Sequence, residues 1–140
     1  MLHLIFACTH NAGRSQMAAA LFNSMCDPER AGASSAGTAP ADRVHPEVVE
    51  VMREIGIDLS RASPRRLTSE LASTAELLVT MGCSEECPFV PGLRKLDWPI
   101  PDPKDQPLER VREIRGQIAE LVRDLLVAEG VQRTSAPRSG

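Results

Sequence analysis

Short apolar runs alternate along this chain with stretches that are apolar only at helical spacing, and that alternation restricts the fold more than any other feature. Leu2-His3-Leu4-Ile5-Phe6-Ala7 is short and nearly continuous in its apolar character, as a buried parallel strand requires. Met17, Ala18, Leu21, Phe22 and Met25 then recur at helical spacing. Residues 33–37 read as a second strand of weak composition. Pro46 opens a second helix whose expected core face is Val48, Val49, Met52 and Ile55, with Gly56 placed for a left-handed C-cap. Glu76-Leu77-Leu78-Val79-Thr80-Met81 is a third strand, and residues 94–98 are a candidate fourth. The Pro-rich stretch Pro99-Ile100-Pro101-Asp102-Pro103 can enter neither a helix nor a central ladder. Leu108, Val111, Ile114, Ile118, Leu121, Val122 and Leu125 form the stripe of a long last helix that Gly130 ends. Strands alternating with helices imply a single α/β doubly wound domain over residues 1–130, with a small, about four-stranded parallel sheet and helices on both faces. Residues 131–140 are expected to be a disordered tail.

Composition narrows the function. The net charge of −3 without basic runs leaves no electrostatic footprint for nucleic acid, and one Trp, three Phe and no Tyr offer little for base stacking. No window approaches the ~18 consecutive apolar residues of a membrane span, and the N-terminus lacks a basic signal-peptide start, so a cytoplasmic protein is expected. A chain of 140 residues buries enough surface to fold without disulfide or metal staples, so its four cysteines need another explanation.

One explanation lies between the first strand and the first helix, where the chain reads Cys8-Thr9-His10-Asn11-Ala12-Gly13-Arg14-Ser15. In a doubly wound sheet, ligands bind beyond the carboxyl ends of the strands, where strand order reverses, and this loop belongs there. A loop of this length can turn successive N–H groups inward and add them to the positive end of the following helix, making a cradle for a tetrahedral oxyanion. Arg14 would close it with a bidentate fork. The same field favours the thiolate of Cys8, a nucleophile aimed at the central atom of the bound anion. Ser15 can donate its hydroxyl to that sulfur. His10 and Asn11 tolerate left-handed torsions, and the Asn11 amide can pin the loop. The spacing alone is a weak signal, and a structural Cys8 beside an unrelated Arg14 is the alternative. The placement between a strand and an amphipathic helix is what favours chemistry.

With these residues in view, Cys8-Thr9-x-Asn11-x-x-Arg14-Ser15-Gln16-Met17-Ala18 resembles the signature of arsenate reductases built on the low-molecular-weight protein tyrosine phosphatase fold. Ser35-Ala36-Gly37, Pro46, Gly56-Ile57-Asp58-Leu59-Ser60, Val79-Thr80-Met81 and Asp102-Pro103 extend the likeness to about residue 128. Gln16-Met17-Ala18 favours a reductase, since such phosphatases typically carry Pro after Arg-Ser and aromatic residues after Asp-Pro, where this chain has Lys104 and Asp105.

The resemblance implies that arsenate binds in the residue 8–15 loop, that Cys8 attacks arsenic, and that Asp102 protonates the departing oxygen, with burial beside the anion helping it hold the proton. Asp97 and Asp105 are the nearby substitutes, and a mere turn before Pro103 is the plainer role for Asp102. It further implies a relay in which Cys83 attacks Cys8, Cys87 attacks Cys83, and thioredoxin reduces the resulting disulfide, with no bound cofactor or metal. A small thiol such as mycothiol or glutathione attacking the Cys8 adduct, and a phosphatase using the same residues, are the alternatives. A zinc site at Cys83 and Cys87 would lack a second ligand pair. Cys26 reads as structural. Some thioredoxin-linked relatives bind potassium beside this loop, and at the matching positions the chain retains Asn11 and Ser35 but has Ala19 and Arg65 in place of two carboxylates. Arg65 is expected to supply the charge.

Overall fold

The computed structural model describes residues 1–82 and 90–133. Its elements are β1 (Leu2–Cys8), α1 (Arg14–Met25), β2 (Ala31–Gly37), α2 (Pro46–Arg53), α3 (Ser69–Ala72), β3 (Leu77–Met81), β4 (Arg94–Asp97) and α4 (Leu108–Glu129). The strands form one parallel sheet in the order β2-β1-β3-β4, as the alternation of patterns predicts. Strand order reverses at β1, whose neighbours β2 and β3 lie on opposite sides. The carboxyl end of β1 is therefore the expected binding position.

Alternate residues of the central strands serve two cores. Leu4, Phe6 and Cys8 of β1, with Leu77, Val79 and Met81 of β3, join the buried faces of α1, α2 and α4. Ile5, Ala7 and Leu78 face the other way, onto Ala36, Leu67 and Ala72, where α3 supplies a thinner cover. Phe6 lies at the centre of the larger core, with ring centroids 5.9 Å from Phe22 and 5.6 Å from Trp98. Burying these three aromatics there removes them from the surface.

β2 is built from AGASSAG, a sequence of low strand propensity, and tertiary context makes it a strand. It pairs with β1 along its whole length, from Leu2↔Ala31 to Cys8↔Gly37. On its open edge the Asn23 amide of α1 satisfies Ala33 twice: Nδ2 donates to the carbonyl and Oδ1 accepts from the N–H, both at 2.9 Å.

Three sequence expectations change, and one short helix joins the elements the patterns predict. The core face of α2 is Val48, Val51 and Met52, with Val49 half-buried against it as expected and Ile55 outside it. The helix ends in a turn on left-handed Gly56 (φ 84°), as expected, with the Gly56 N–H donating to the Arg53 carbonyl and the Ile57 N–H to that of Met52, both at 3.0 Å. Ile55 is 44% exposed, and Glu54 accepts from Arg112 Nη2 at 2.7 Å and Arg115 Nη1 at 3.0 Å. Those two guanidiniums, Arg112 foremost, hold the Glu54 carboxyl at about 2. Leu108 begins α4 at the surface rather than in the core stripe. The four-residue α3, capped by Thr68 Oγ1 accepting from the Leu71 N–H at 3.0 Å, gives no periodicity at that length. Finally, residues 131–133 are tied to the end of α1 rather than part of a tail, with the Arg133 N–H donating to the Met25 carbonyl at 3.1 Å. Gly130 caps α4 in the left-handed conformation, Val131 is buried, and Gln132 forms a bridge with Cys26. Among the described residues no helix is long and apolar enough to cross a membrane.

Candidate active site

Cys8 is the last residue of β1 and is buried, while α1 starts at Arg14, so five residues must turn the chain from the sheet into the helix. Their carbonyls are turned outward by specific donors. The N–H groups of Thr38, Ala39, Ala41 and His45 donate to the carbonyls of Cys8, Thr9, His10 and Ala12, and Met17 donates to Gly13 at 3.0 Å. Gln16 Nε2 donates to the remaining carbonyl, that of Asn11, at 3.1 Å. With the carbonyls facing out, the N–H groups of residues 9–14 meet no acceptor among the described residues, and α1 has no side-chain cap. A run of N–H groups without protein acceptors beside a helix N-terminus suits an anion. Gly37, at the end of β2, is what lets this loop close: a Cβ there would lie 2.6 Å from the Thr9 carbonyl oxygen and 2.9 Å from the Asn11 nitrogen.

Inside the loop the proton direction can be deduced. The Arg65 backbone N–H can only donate, and it meets Asn11 Oδ1 at 2.9 Å, which fixes the orientation of the Asn11 amide. Asn11 Nδ2 then donates to Ser15 Oγ at 2.7 Å. Ser15 Oγ in turn lies 2.9 Å from Cys8 Sγ. Toward a thiolate only the Ser15 hydroxyl can be the donor of this pair, and Asn11, Ser15 and the sulfur then form one line of donors. Asn11 is fully buried with φ 51°, the left-handed backbone expected of it, whereas His10 is not in that region. His10 and Thr9 are partly exposed at the rim, and Ala12 and Gly13 are buried. Cys26 contrasts with Cys8: burial pushes its thiol up, and its Sγ lies 3.4 Å from the Ala31 carbonyl, far from this loop's donors.

Arg14 joins the loop to the Pro-rich strap. Its Nη1 donates to the Ile100 carbonyl at 3.0 Å, and its Nη2 lies 3.8 Å from Asp102 Oδ2, an ion pair longer than a hydrogen bond. The strap seats on the loop because Gly13 has no side chain: a Cβ there would stand 2.7 Å from Pro103 Cγ. Asp102 is brought to the site but not buried, with its side chain 44% exposed. Its other oxygen accepts from the Lys104 N–H at 3.0 Å, so one carboxylate both forms the turn and faces the guanidinium. Asp97 is engaged by Thr80 Oγ1 at 2.7 Å. Cys83 and Cys87 lie outside the described residues.

The model of the low molecular weight phosphotyrosine protein phosphatase family matches residues 3–136 of this chain, cradle, strap and sheet included. The chain belongs to that family. A Halobacterium salinarum protein provisionally named an arsenate reductase is 41% identical over 126 residues, covering 86% of this chain and 87% of that one. The glutaredoxin arsenate reductase of Synechocystis is 31% identical, covering 90% and 97%. Among solved structures, a thioredoxin-dependent arsenate reductase of Corynebacterium glutamicum superposes with a TM-score of 0.72 at 34% identity, covering 91% of this chain and 63% of that longer one.

The groups that hold Asn11 come from both near and distant parts of the chain. Gln16, which the sequence offers only as part of a signature, braces both the Asn11 carbonyl and, at 3.3 Å, its Oδ1. Arg65 lies 54 positions from Asn11, and no local pattern links them. Its Nε also donates to the Ser35 carbonyl at 3.1 Å, and Ala19 is buried. Donors of one arginine therefore occupy oxygens of both retained positions. We expect arsenate turnover to be the same in potassium and sodium salts at equal ionic strength, and a saturable stimulation specific to potassium would refute this.

Proposed function

We propose that this protein reduces arsenate to arsenite. The observation that carries the reading is Cys8 Sγ held 2.9 Å from the Ser15 hydroxyl, at the start of a loop that leads into Arg14 and whose N–H groups meet no acceptor among the described residues. Arsenate has the shape and charge for which such a loop is built. Cys8 thiolate attacks arsenic, a sulfur–arsenic bond forms, and one oxygen leaves as water after protonation by Asp102. A second thiolate then attacks the Cys8 sulfur. A disulfide forms, the sulfur–arsenic bond breaks, and its electron pair stays on arsenic, which departs as As(III). We assign that second attack to Cys83 and the third to Cys87, leaving a Cys83–Cys87 disulfide for thioredoxin in a reducing cytoplasm. The names of relatives point to both thioredoxin and glutaredoxin. The chain's own two further thiols favour the relay over direct attack by mycothiol or glutathione.

The test is arsenate-dependent NADPH oxidation with thioredoxin and its reductase, run beside glutathione and mycothiol systems. Turnover with thioredoxin that is lost in both Cys83→Ser and Cys87→Ser supports the relay. Turnover only with a small thiol, unaffected by either substitution, overturns it.

A phosphatase would use Cys8, Arg14 and Asp102 in the same roles, and the family name favours keeping that second reading. Against a phosphotyrosine substrate, Phe6, Phe22 and Trp98 are all buried in the core, so no described aromatic residue lines the mouth. Hydrolysis of p-nitrophenyl phosphate by a Cys83→Ser, Cys87→Ser double variant separates the two. For either chemistry, Asp102→Asn is expected to lower kcat about 100-fold, within the usual range for loss of a general acid, while phosphate affinity is kept. Equal kcat in the variant would assign the proton to another group.

A further inference from the structure

Gly82 follows β3 with φ 88°, a conformation that disfavours any residue with a side chain. It also lies against the residue that closes the cradle: a Cβ at Gly82 would sit 2.8 Å from Arg14 Nη1 and 3.4 Å from both Cζ and Nη2. On the other side, Nη1 is held by the Ile100 carbonyl at 3.0 Å, and Nη2 faces Asp102 at 3.8 Å. The guanidinium is boxed between the end of β3 and the strap. Gly82 touches the opposite end of the loop as well, since its carbonyl accepts from Thr9 Oγ1 at 3.4 Å. We propose that Gly82 is a positioning residue for the oxyanion, setting through its missing side chain where the Arg14 fork stands. This rests on the reading of residues 8–15 as an oxyanion cradle. Nothing in the signature around Cys8 points to it.

The physical reason is that two planar N–H donors must meet two oxygens at once, so a displacement of the fork by a fraction of its own width costs the bidentate geometry. A methyl group at Gly82 cannot be accommodated at 2.8 Å. The atom it meets is the far end of a flexible side chain, so Arg14 yields before the backbone does. The fold is kept and the anion contact is lost.

Gly92 provides the matched control, with φ 82° and open space around the position a Cβ would take. Gly82→Ala and Gly92→Ala thus share the backbone strain and differ in the crowding of Arg14. Inorganic phosphate is titrated by calorimetry into the reduced full-length chain, and arsenate turnover is measured alongside. Relative to Gly92→Ala, Gly82→Ala is expected to weaken phosphate about tenfold or more and to raise KM for arsenate more than it lowers kcat. In an Arg14→Lys background, which lacks the crowded nitrogens, the further loss from Gly82→Ala should largely vanish. The inference is overturned if Gly82→Ala binds phosphate as Gly92→Ala does, or if it weakens phosphate by the same factor in the Arg14→Lys background as in the native one. It is also overturned if Gly82→Ala fails to fold where Gly92→Ala folds, since the crowding would then fall on the backbone. A native chain that binds no phosphate at all would instead remove the cradle reading itself.

Discussion

Cys8→Ser is expected to bind phosphate as the native chain does and to reduce no arsenate. Serine keeps the size of the side chain and can take the same hydrogen bond from Ser15, so the loop, whose carbonyls are held by residues outside it, has no reason to change. What disappears is the atom that bonds to arsenic and later gives up its place to a second sulfur. Loss of a nucleophile costs about 10⁴-fold or more even where other catalytic groups survive. Here the lost atom also belongs to the redox chain, so no slower route through residue 8 remains. Arsenite formation and phosphate calorimetry measured on one preparation check both halves. Multiple turnovers in the variant would move the reaction to another thiol, and loss of phosphate binding would mean that Cys8 is structural.

Asn11→Ala should produce the largest loss of stability. Asn11 is fully buried and left-handed, a conformation costing alanine about 1–2 kcal/mol. Its side chain also accepts the half-buried Arg65 N–H, and loss of such a hydrogen bond costs about 0.5–1.5 kcal/mol. Together these place the destabilisation at about 1.5–3.5 kcal/mol, readable by urea unfolding. Asn11→Gly separates the terms, because glycine removes the torsional part and keeps the lost hydrogen bonds. Both variants should also lose arsenate turnover in the folded state. Without Asn11 Nδ2 on its oxygen, the Ser15 hydroxyl beside Cys8 loses the partner that holds it in place. Unfolding curves that coincide with those of the native protein would show that the Asn11 interactions are not structural, and full activity in Asn11→Gly would show that the donor chain does not serve the sulfur.

Cys8 and its loop are legible in the sequence because the relevant signals are local: an apolar run ends, turn residues follow, and a helical pattern begins with an arginine at its start. The parallel sheet follows from the same alternation. Residues 31–37 carry only a weak signal, since their strand depends on a ladder with β1 and an Asn23 side chain that covers the edge. Ile55 departs from its expected core position because it lies past Arg53, in the turn that left-handed Gly56 makes at the end of α2, where the helical spacing of the core face no longer applies. Asp102 is marked by its neighbours in sequence, but its exposure depends on how the strap lies over Gly13.

The amino-acid order alone determined the layered α/β architecture, the loop where chemistry would occur and the candidate nucleophile within it, because strand period, helix period and turn chemistry all act over a few residues. The tertiary structure decided how the Asn11 amide is turned toward Ser15, what holds Asn11 and where Arg14 stands. Those depend on Arg65, Ile100, Pro103 and Gly82, and hydrogen-bond direction and steric exclusion between such distant segments exist only once the chain has brought them within a few ångströms.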